Sequence, residues 1–189
     1  MDKVTAFRDA VKACRECSLS GTCNEPVPGA GWEKSKIMIV GEAPGKEEDR
    51  RGFPFVGESG RLLRNTLLKL YVTPESLYIT NVVKCRPPEN RNPTTEEVGI
   101  CKTHWLDAEI GELVRPSVVL MLGRVAQHAL LPYVTELPHG RSLLIRNVFY
   151  VYFHHPSYWL RNGGCTYADL EVVPILTGYV DEWRSKKWL

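Results

Sequence analysis

Residues 36 to 58 read KIMIVGEAPGKEEDRRGFPFVGE. An apolar run ends at Val40, and where a strand would simply turn into a helix the chain inserts Pro44-Gly45, four acids and a Phe-Pro-Phe before Gly57. A buried strand followed by a dense polar loop and then a helix is the opening unit of an α/β sheet, with the loop at the strand's carboxyl end, where such sheets bind ligands.

Three more strand-like segments follow: SLYITNVV (76 to 83), PSVVLML (116 to 122) and NVFYVYF (147 to 153). Their β-branched and aromatic residues favour strands, and their near-continuous apolar character suits strands buried on both faces. Between them helical patterns are expected at about 59 to 70, 94 to 114 and 123 to 131, with others at 2 to 13 and 169 to 186. The expected class is therefore α/β: a three-layer α/β/α sandwich on a central four-stranded parallel sheet. Gly41 to Gly57, Asn81 and His154-His155-Pro156-Ser157 should then converge on one crevice, and the Pro-rich CRPPENRNPT (85 to 94) reads as an ordered functional loop or merely a long exposed connection.

The chain has 189 residues, 43% of them hydrophobic, which suits one well-buried core, so residues 1 to 189 are expected to form a single domain. No apolar run reaches the length of a membrane span, and the N-terminus lacks the layout of a signal peptide, so a cytoplasmic protein with no membrane partner is expected. The net charge of +2 neither demands nor excludes a polyanionic partner.

Six cysteines without an export signal point to metal ligands, nucleophiles or buried thiols rather than disulfides. Cys14 and Cys17 form a CxxC at the end of the first helix, whereas Cys85 and Cys101 stand far downstream. Four thiolates so gathered could hold tetrahedral zinc or an iron–sulfur cluster, and spacing does not choose. Cys23 competes for a ligand position, and Cys165 reads as an ordinary buried thiol.

Taken together, GEAPGKEEDRRGFPFVGESGRLL (41 to 63), YITNVVKCRPPENRNPTTEE (78 to 97) and HHPSYWLRN (154 to 162) closely resemble the family 4 uracil-DNA glycosylases, the iron–sulfur branch of that superfamily. The chain departs from the family's pattern at Ser59, where Ala is common, and between Cys17 and the first strand, where Cys23 is extra. The resemblance implies a glycosylase that flips deoxyuridine from DNA and releases uracil, working as a monomer on uracil-containing DNA; it says nothing about a sliding clamp or other repair partners. It also implies a [4Fe-4S] cluster held by Cys14, Cys17, Cys85 and Cys101.

By the same resemblance His155 and Glu42 are the catalytic pair, and Gly41, Glu48, Phe55 and Asn81 bind the base: Phe55 as a stacking ring, Asn81 as the reader of the uracil edge, Glu48 as a guard beside C5. Glu47 and Asp49 read as solvated charges. Arg86, Arg91 and Arg161 are candidate DNA backbone contacts, helix starts at Gly57 to Gly60 and Gly123-Arg124 are candidate phosphate sites, and Leu160 is the candidate wedge in an apolar tip, Tyr158 to Leu160. The rivals are a catalytically silent DNA- or protein-binding module on the same fold, and a zinc-stabilised nucleotide-binding protein.

Overall fold

The structure is a computed structural model that describes residues 2 to 69 and 76 to 163. The chain opens with α1 (Lys3–Lys12), whose free amides are capped by Asp2, Oδ1 accepting from Val4 N and Thr5 N at 3.0 Å each. The expected strands are all present: β2 (Ile37–Gly41), β3 (Leu77–Asn81), β4 (Val118–Leu122) and β6 (Val148–Phe153) pair in parallel in the order β3-β2-β4-β6. Two short strands add antiparallel edges: β1 (Ala30–Gly31) beside β3, and β5 (Ser142–Ile145) beside β6. Neither carries a long apolar run, because an edge strand is half open to water.

Alternation along β2 divides the core. Met38 and Val40 face a layer containing Leu106, Val114, Ala126 and Ala129; Ile37 and Ile39 face Leu63, Leu67 and Trp159. The second set comes from α3 (Glu58–Lys69) and α6 (Pro156–Arg161). The first comes from the segment after residue 94 and from α5 (Arg124–Leu130). The sheet is thus covered on both faces, and the three-layer sandwich stands.

Three expectations change. The loop after β2 is not irregular throughout, since KEEDRR forms α2 (Lys46–Arg51), closed by Gly52 in the left-handed region at φ 71°. The helix expected over 94 to 114 is α4 (Thr95–Cys101), which then widens into π-helical turns at Lys102–Leu106 and Glu109–Val114. The apolar tip is only part tip: Trp159 is buried against α3, leaving Tyr158 and Leu160 exposed on α6. The helix expected over 169 to 186, and Cys165, lie outside the described residues. No helix among the described residues is long and apolar enough to cross a membrane.

Candidate active site and thiol cavity

Because β2, β3, β4 and β6 run parallel, their carboxyl ends lie along one edge, and the chain leaving each reaches the same cleft of about 590 Å³. Glu42 follows β2, Asn81 ends β3, Gly123 follows β4 and His155 follows β6; the four line the cleft with Phe55 and Glu48. The three stretches expected to converge do so, and Pro87, Asn90, Arg91 and Asn92 of the Pro-rich segment form another wall.

Phe55 is held at φ 54°, left-handed for a residue with a side chain, which turns its ring inward to lie 5% exposed beneath Gly41. Two glycines permit this. A methyl on Gly41 would stand 2.5 Å from both Phe55 Cζ and Asn81 Oδ1, and one on Gly60 would stand 2.0 Å from the Phe55 carbonyl oxygen. The ring centroid is 6.2 Å from that of His155, at 36°.

Asn81 is 3% exposed, opposite Gly41 in the ladder, and its side-chain amide makes no hydrogen bond among the described residues. A buried amide free to meet a ligand is uncommon, since buried polar groups are normally paired. Glu42 also carries its carboxyl into the cleft, and burial raises its pKa.

His155 caps α6. Its Nδ1 accepts from Ser157 N at 3.2 Å and lies 2.9 Å from Ser157 Oγ, so in the neutral ring the proton sits on Nε2. Partial burial first, then the Arg161 charge, bring its pKa down to about 4, with Glu48 opposing. The imidazole is therefore neutral near pH 7 and donates from Nε2. His154 takes no such place: its ring stacks between His139 (4.6 Å) and Tyr158 (4.5 Å).

The acids of the loop divide their work. Both oxygens of Glu48 are engaged, Oε2 by Gly45 N at 3.1 Å and Oε1 by Gly57 N at 2.7 Å, so this side chain laces the loop shut while bordering the cleft. It also takes the amide at Gly57 that was expected to receive phosphate. Glu47 pairs at the surface with Arg50 and Arg51, each at 2.9 Å, in keeping with a solvated charge. Asp49 does not: it is buried, accepting from Asn24 N at 2.9 Å and Asn24 Nδ2 at 2.8 Å, because α2 turns it toward the N-terminal segment.

Of the arginines, Arg161 and Arg91 line the cleft. Arg91 is a two-pronged partner of Glu97, at 2.9 and 2.7 Å, so its guanidinium is already committed. Arg86 bonds Asn90 Oδ1 at 2.8 Å. Arg124, at the start of α5, adds a cation to the cleft and pairs with Glu136 at 2.8 Å.

Apart from the cleft, Cys14, Cys17, Cys85 and Cys101 line a single small cavity, with Leu19, Ile100 and Trp105 among its apolar walls. Trp105 Nε1 donates to Cys14 Sγ at 3.3 Å and Lys84 N to Cys101 Sγ at 3.2 Å. Burial pushes the Cys101 thiol up to about 11 and raises Cys17. Cys23 lies within hydrogen-bonding reach of Cys85 but does not line the cavity. Among the described residues no three ligating side chains converge on one point as they would around a single ion. The four thiols share one apolar-walled cavity and two of them accept N–H donors at sulfur, a donor set whose chemistry fits soft thiolate ligation.

The sequence places Ser157 at the crevice without giving it a role, and gives none to Glu97 or to the buried pair Lys84 and Glu109, 1% and 0% exposed. Only Ser157 had a visible signal, two places after the histidine at a helix start. The others gain their meaning from partners distant in the chain.

A family model described as the uracil DNA glycosylase superfamily matches residues 28–171. The chain is 49% identical over 116 residues to a type-4 uracil-DNA glycosylase of Archaeoglobus fulgidus, covering 61% of this chain and 57% of that protein. It is 39% identical over 165 residues to the Thermotoga maritima type-4 enzyme, covering 82% and 81%. A type-5 uracil-DNA glycosylase of Thermus thermophilus is 38% identical over 147 residues, covering 63% and 66%. The match to the Archaeoglobus protein therefore spans little more than half of that protein's length.

Proposed function

The chain belongs to the uracil-DNA glycosylase superfamily, where it groups with the type-4 enzymes, and from that premise we propose that it hydrolyses the N-glycosidic bond of deoxyuridine in DNA, releasing uracil and leaving an abasic site. The observation that carries the reading is the convergence of Glu42, Phe55, Asn81 and His155 on one cleft at the carboxyl edge of the sheet. A base inside a duplex is out of reach, so the nucleotide is flipped into the cleft, where the ring of Phe55 offers a stacking face worth about 1–3 kcal/mol.

Asn81 then reads the edge. Its carbonyl accepts from uracil N3–H and its NH₂ donates to O4, whereas cytosine presents the opposite pattern and leaves both groups unpaired. Glu48, on the wall, crowds C5 where thymine carries a methyl. As the C1′–N1 bond breaks, its electron pair leaves with the base, and His155 Nε2–H donates to O2 as charge gathers there. A preorganised donor of this kind contributes about 2.7–4 kcal/mol. Glu42 faces the cationic sugar, where a carboxylate stabilises C1′ and orients the water that adds to it. Water adds its oxygen to C1′ and loses a proton to solvent. No step forms a covalent bond to a lysine, so the strand is left uncut.

Cys14, Cys17, Cys85 and Cys101 are the proposed ligands of a [4Fe-4S] cluster, supported by their shared cavity. Held by these four sulfurs, such a cluster would supply a covalent staple between the end of α1 and the segment from 85 to 101. DNA is the proposed partner, gripped by Arg161, Arg124 and Arg86, with Arg91 steadying the Pro-rich wall and Leu160 entering the vacated stack.

The test is excision of uracil from a labelled oligonucleotide by protein purified without oxygen, its visible spectrum and iron and sulfide contents recorded first. Released uracil from brown protein is expected. Brown protein that binds DNA yet releases no base would overturn the enzyme reading for that of a silent binding module, and zinc in place of iron and sulfide would overturn the cluster.

A further inference from the structure

The strand that carries Asn81 is finished by a buried ion pair for which the chemistry above has no use. Lys84 Nζ lies 2.6 Å from Glu109 Oε2, and its other two protons go to Thr80 Oγ1 and to the backbone carbonyl of Asn81, each at 2.7 Å. Glu109 also accepts from the Thr80 hydroxyl at 3.0 Å and from the Tyr78 hydroxyl at 3.1 Å. Tyr78 and Thr80 belong to β3, so the pair grips the strand on the same side at alternate residues and then at its last carbonyl.

Stability is a poor reason to keep such a group. Stripping water from an ammonium and a carboxylate costs about as much as their attraction returns, and well-packed apolar replacements are often neutral or better. What the pair does provide is geometry. Val82 N and Val83 N still bond Gly41 O and Glu42 O, after which the chain leaves the sheet, and Lys84 reaches back three residues to fix the peptide from which it departs. Its own backbone is fixed too, its amide on Cys101 Sγ and its carbonyl accepting from Val27 N at 2.6 Å.

We propose that Lys84 and Glu109 are positioning residues for Asn81: they lock the peptide plane at the end of β3, and with it the direction of the side-chain amide that reads uracil. The inference rests on the glycosylase reading. Asn81 has no hydrogen bond of its own to hold its amide among the described residues, so its placement rests on the backbone position from which it departs and on packing against Gly41. An error of about 1 Å in a positioned group costs on the order of 100-fold in rate.

The experiment compares wild type with Lys84→Met/Glu109→Leu, which removes both charges together and keeps the volume apolar. Four quantities are read: thermal midpoint, visible absorption of the cluster, affinity for uracil-containing DNA, and single-turnover excision at saturating enzyme. The expected result is an unchanged spectrum, a midpoint lowered only as far as the unpaired Tyr78 and Thr80 hydroxyls require with the protein still folded at the assay temperature, DNA affinity within about twofold, a single-turnover rate lower by about 100-fold, and weaker inhibition by free uracil. Should the double variant fail to fold, Lys84→Met/Glu109→Gln, which keeps a polar partner for the Tyr78 and Thr80 hydroxyls but no donor for the Asn81 carbonyl, carries the same test with the same expectation for the rate. An active wild type with an equally fast variant overturns the inference alone, as does a loss of rate that only tracks loss of cluster or of fold. An inactive wild type overturns the glycosylase reading, and this inference with it.

Discussion

At the scale of single residues, the cleft depends on groups held in one state. Ser157 commits Nδ1 of His155 to accepting, which leaves the proton on Nε2, and the low pKa keeps the ring neutral down to about pH 4. His155→Ala should therefore lower single-turnover excision by about 100- to 1,000-fold, the range for removing one preorganised donor, without bleaching the protein. Unaltered excision would remove His155 from its role. Acid should act through Glu42 before it acts through His155. Burial raises the Glu42 pKa above its ordinary 4.5, so the rate should fall on acidification from a point above that value, and Glu42→Gln should lose most activity together with that limb of the profile. Stability has its own dependence. The unfolded histidine takes up a proton near 6.5 and the folded one only near 4, so the contribution from His155 is whole above pH 6.5 and is lost as pH falls through about 4. Urea midpoints measured from pH 8 to 4 should decline in wild type and decline less in His155→Ala. Gly41→Ala is a sharper probe of the pocket floor: its methyl would meet Asn81 Oδ1 and Phe55 Cζ together, so excision should be nearly abolished, which a rate comparison with wild type would show at once.

At the scale of elements, what could be read in advance was whatever depends on residues near in sequence. The four parallel strands announce themselves because burial on both faces demands unbroken apolar runs, and the convergence of Glu42, Asn81 and His155 follows from strand polarity alone. Edge strands β1 and β5 were hidden because they need only one apolar face, and α2 because six charged residues between glycines show no periodicity. The fate of Asp49 and of Trp159 depends on partners that only the assembled fold supplies, Asn24 in one case and the α3 layer in the other. Phe55 was legible as a stacking ring through the motif around it, but its left-handed backbone was not. Glu97 shows how much one such residue binds: it closes a capping box with Thr94, clasps Arg91 and accepts from Ser18 at 3.0 Å. Hydrogen bonds led by Arg91 draw its pKa to about 2, so its contribution is full above 4.5 and lost as pH falls through 2. Glu97→Ala should destabilise the protein by about 1–2 kcal/mol, the usual cost of a lost cap, and slow excision by loosening the Pro-rich wall; thermal melts alongside kinetics would register both.

At the scale of the whole molecule, the cleft and the thiol cavity are both lined by one segment, residues 81 to 101, so that whatever stiffens the cavity stiffens a wall of the cleft. Phe7 meets Trp105 edge-on at 5.7 Å, and Trp105 reaches Cys14, so α1 is fastened through the same cavity. Removing the proposed cluster by oxidation and chelation should lower the thermal midpoint and open α1 to proteolysis, because binding free energy at such a site would be folding free energy. A midpoint indifferent to chelation, followed by calorimetry, would count against a structural cluster.

The order in which those thiols occur has a consequence for how the protein is made. Cys14 and Cys17 emerge from the ribosome before any of the parallel strands, Cys85 and Cys101 only after β3 has followed β2 out. For all of that interval the first two sulfurs have neither their partners nor the apolar roof of Ile100 and Trp105, and they stand open to oxidants and to stray metals in the cell. A four-thiol site is thus complete only once the chain's own middle has been made, so no ligand that needs all four sulfurs can be held before Cys101 is released.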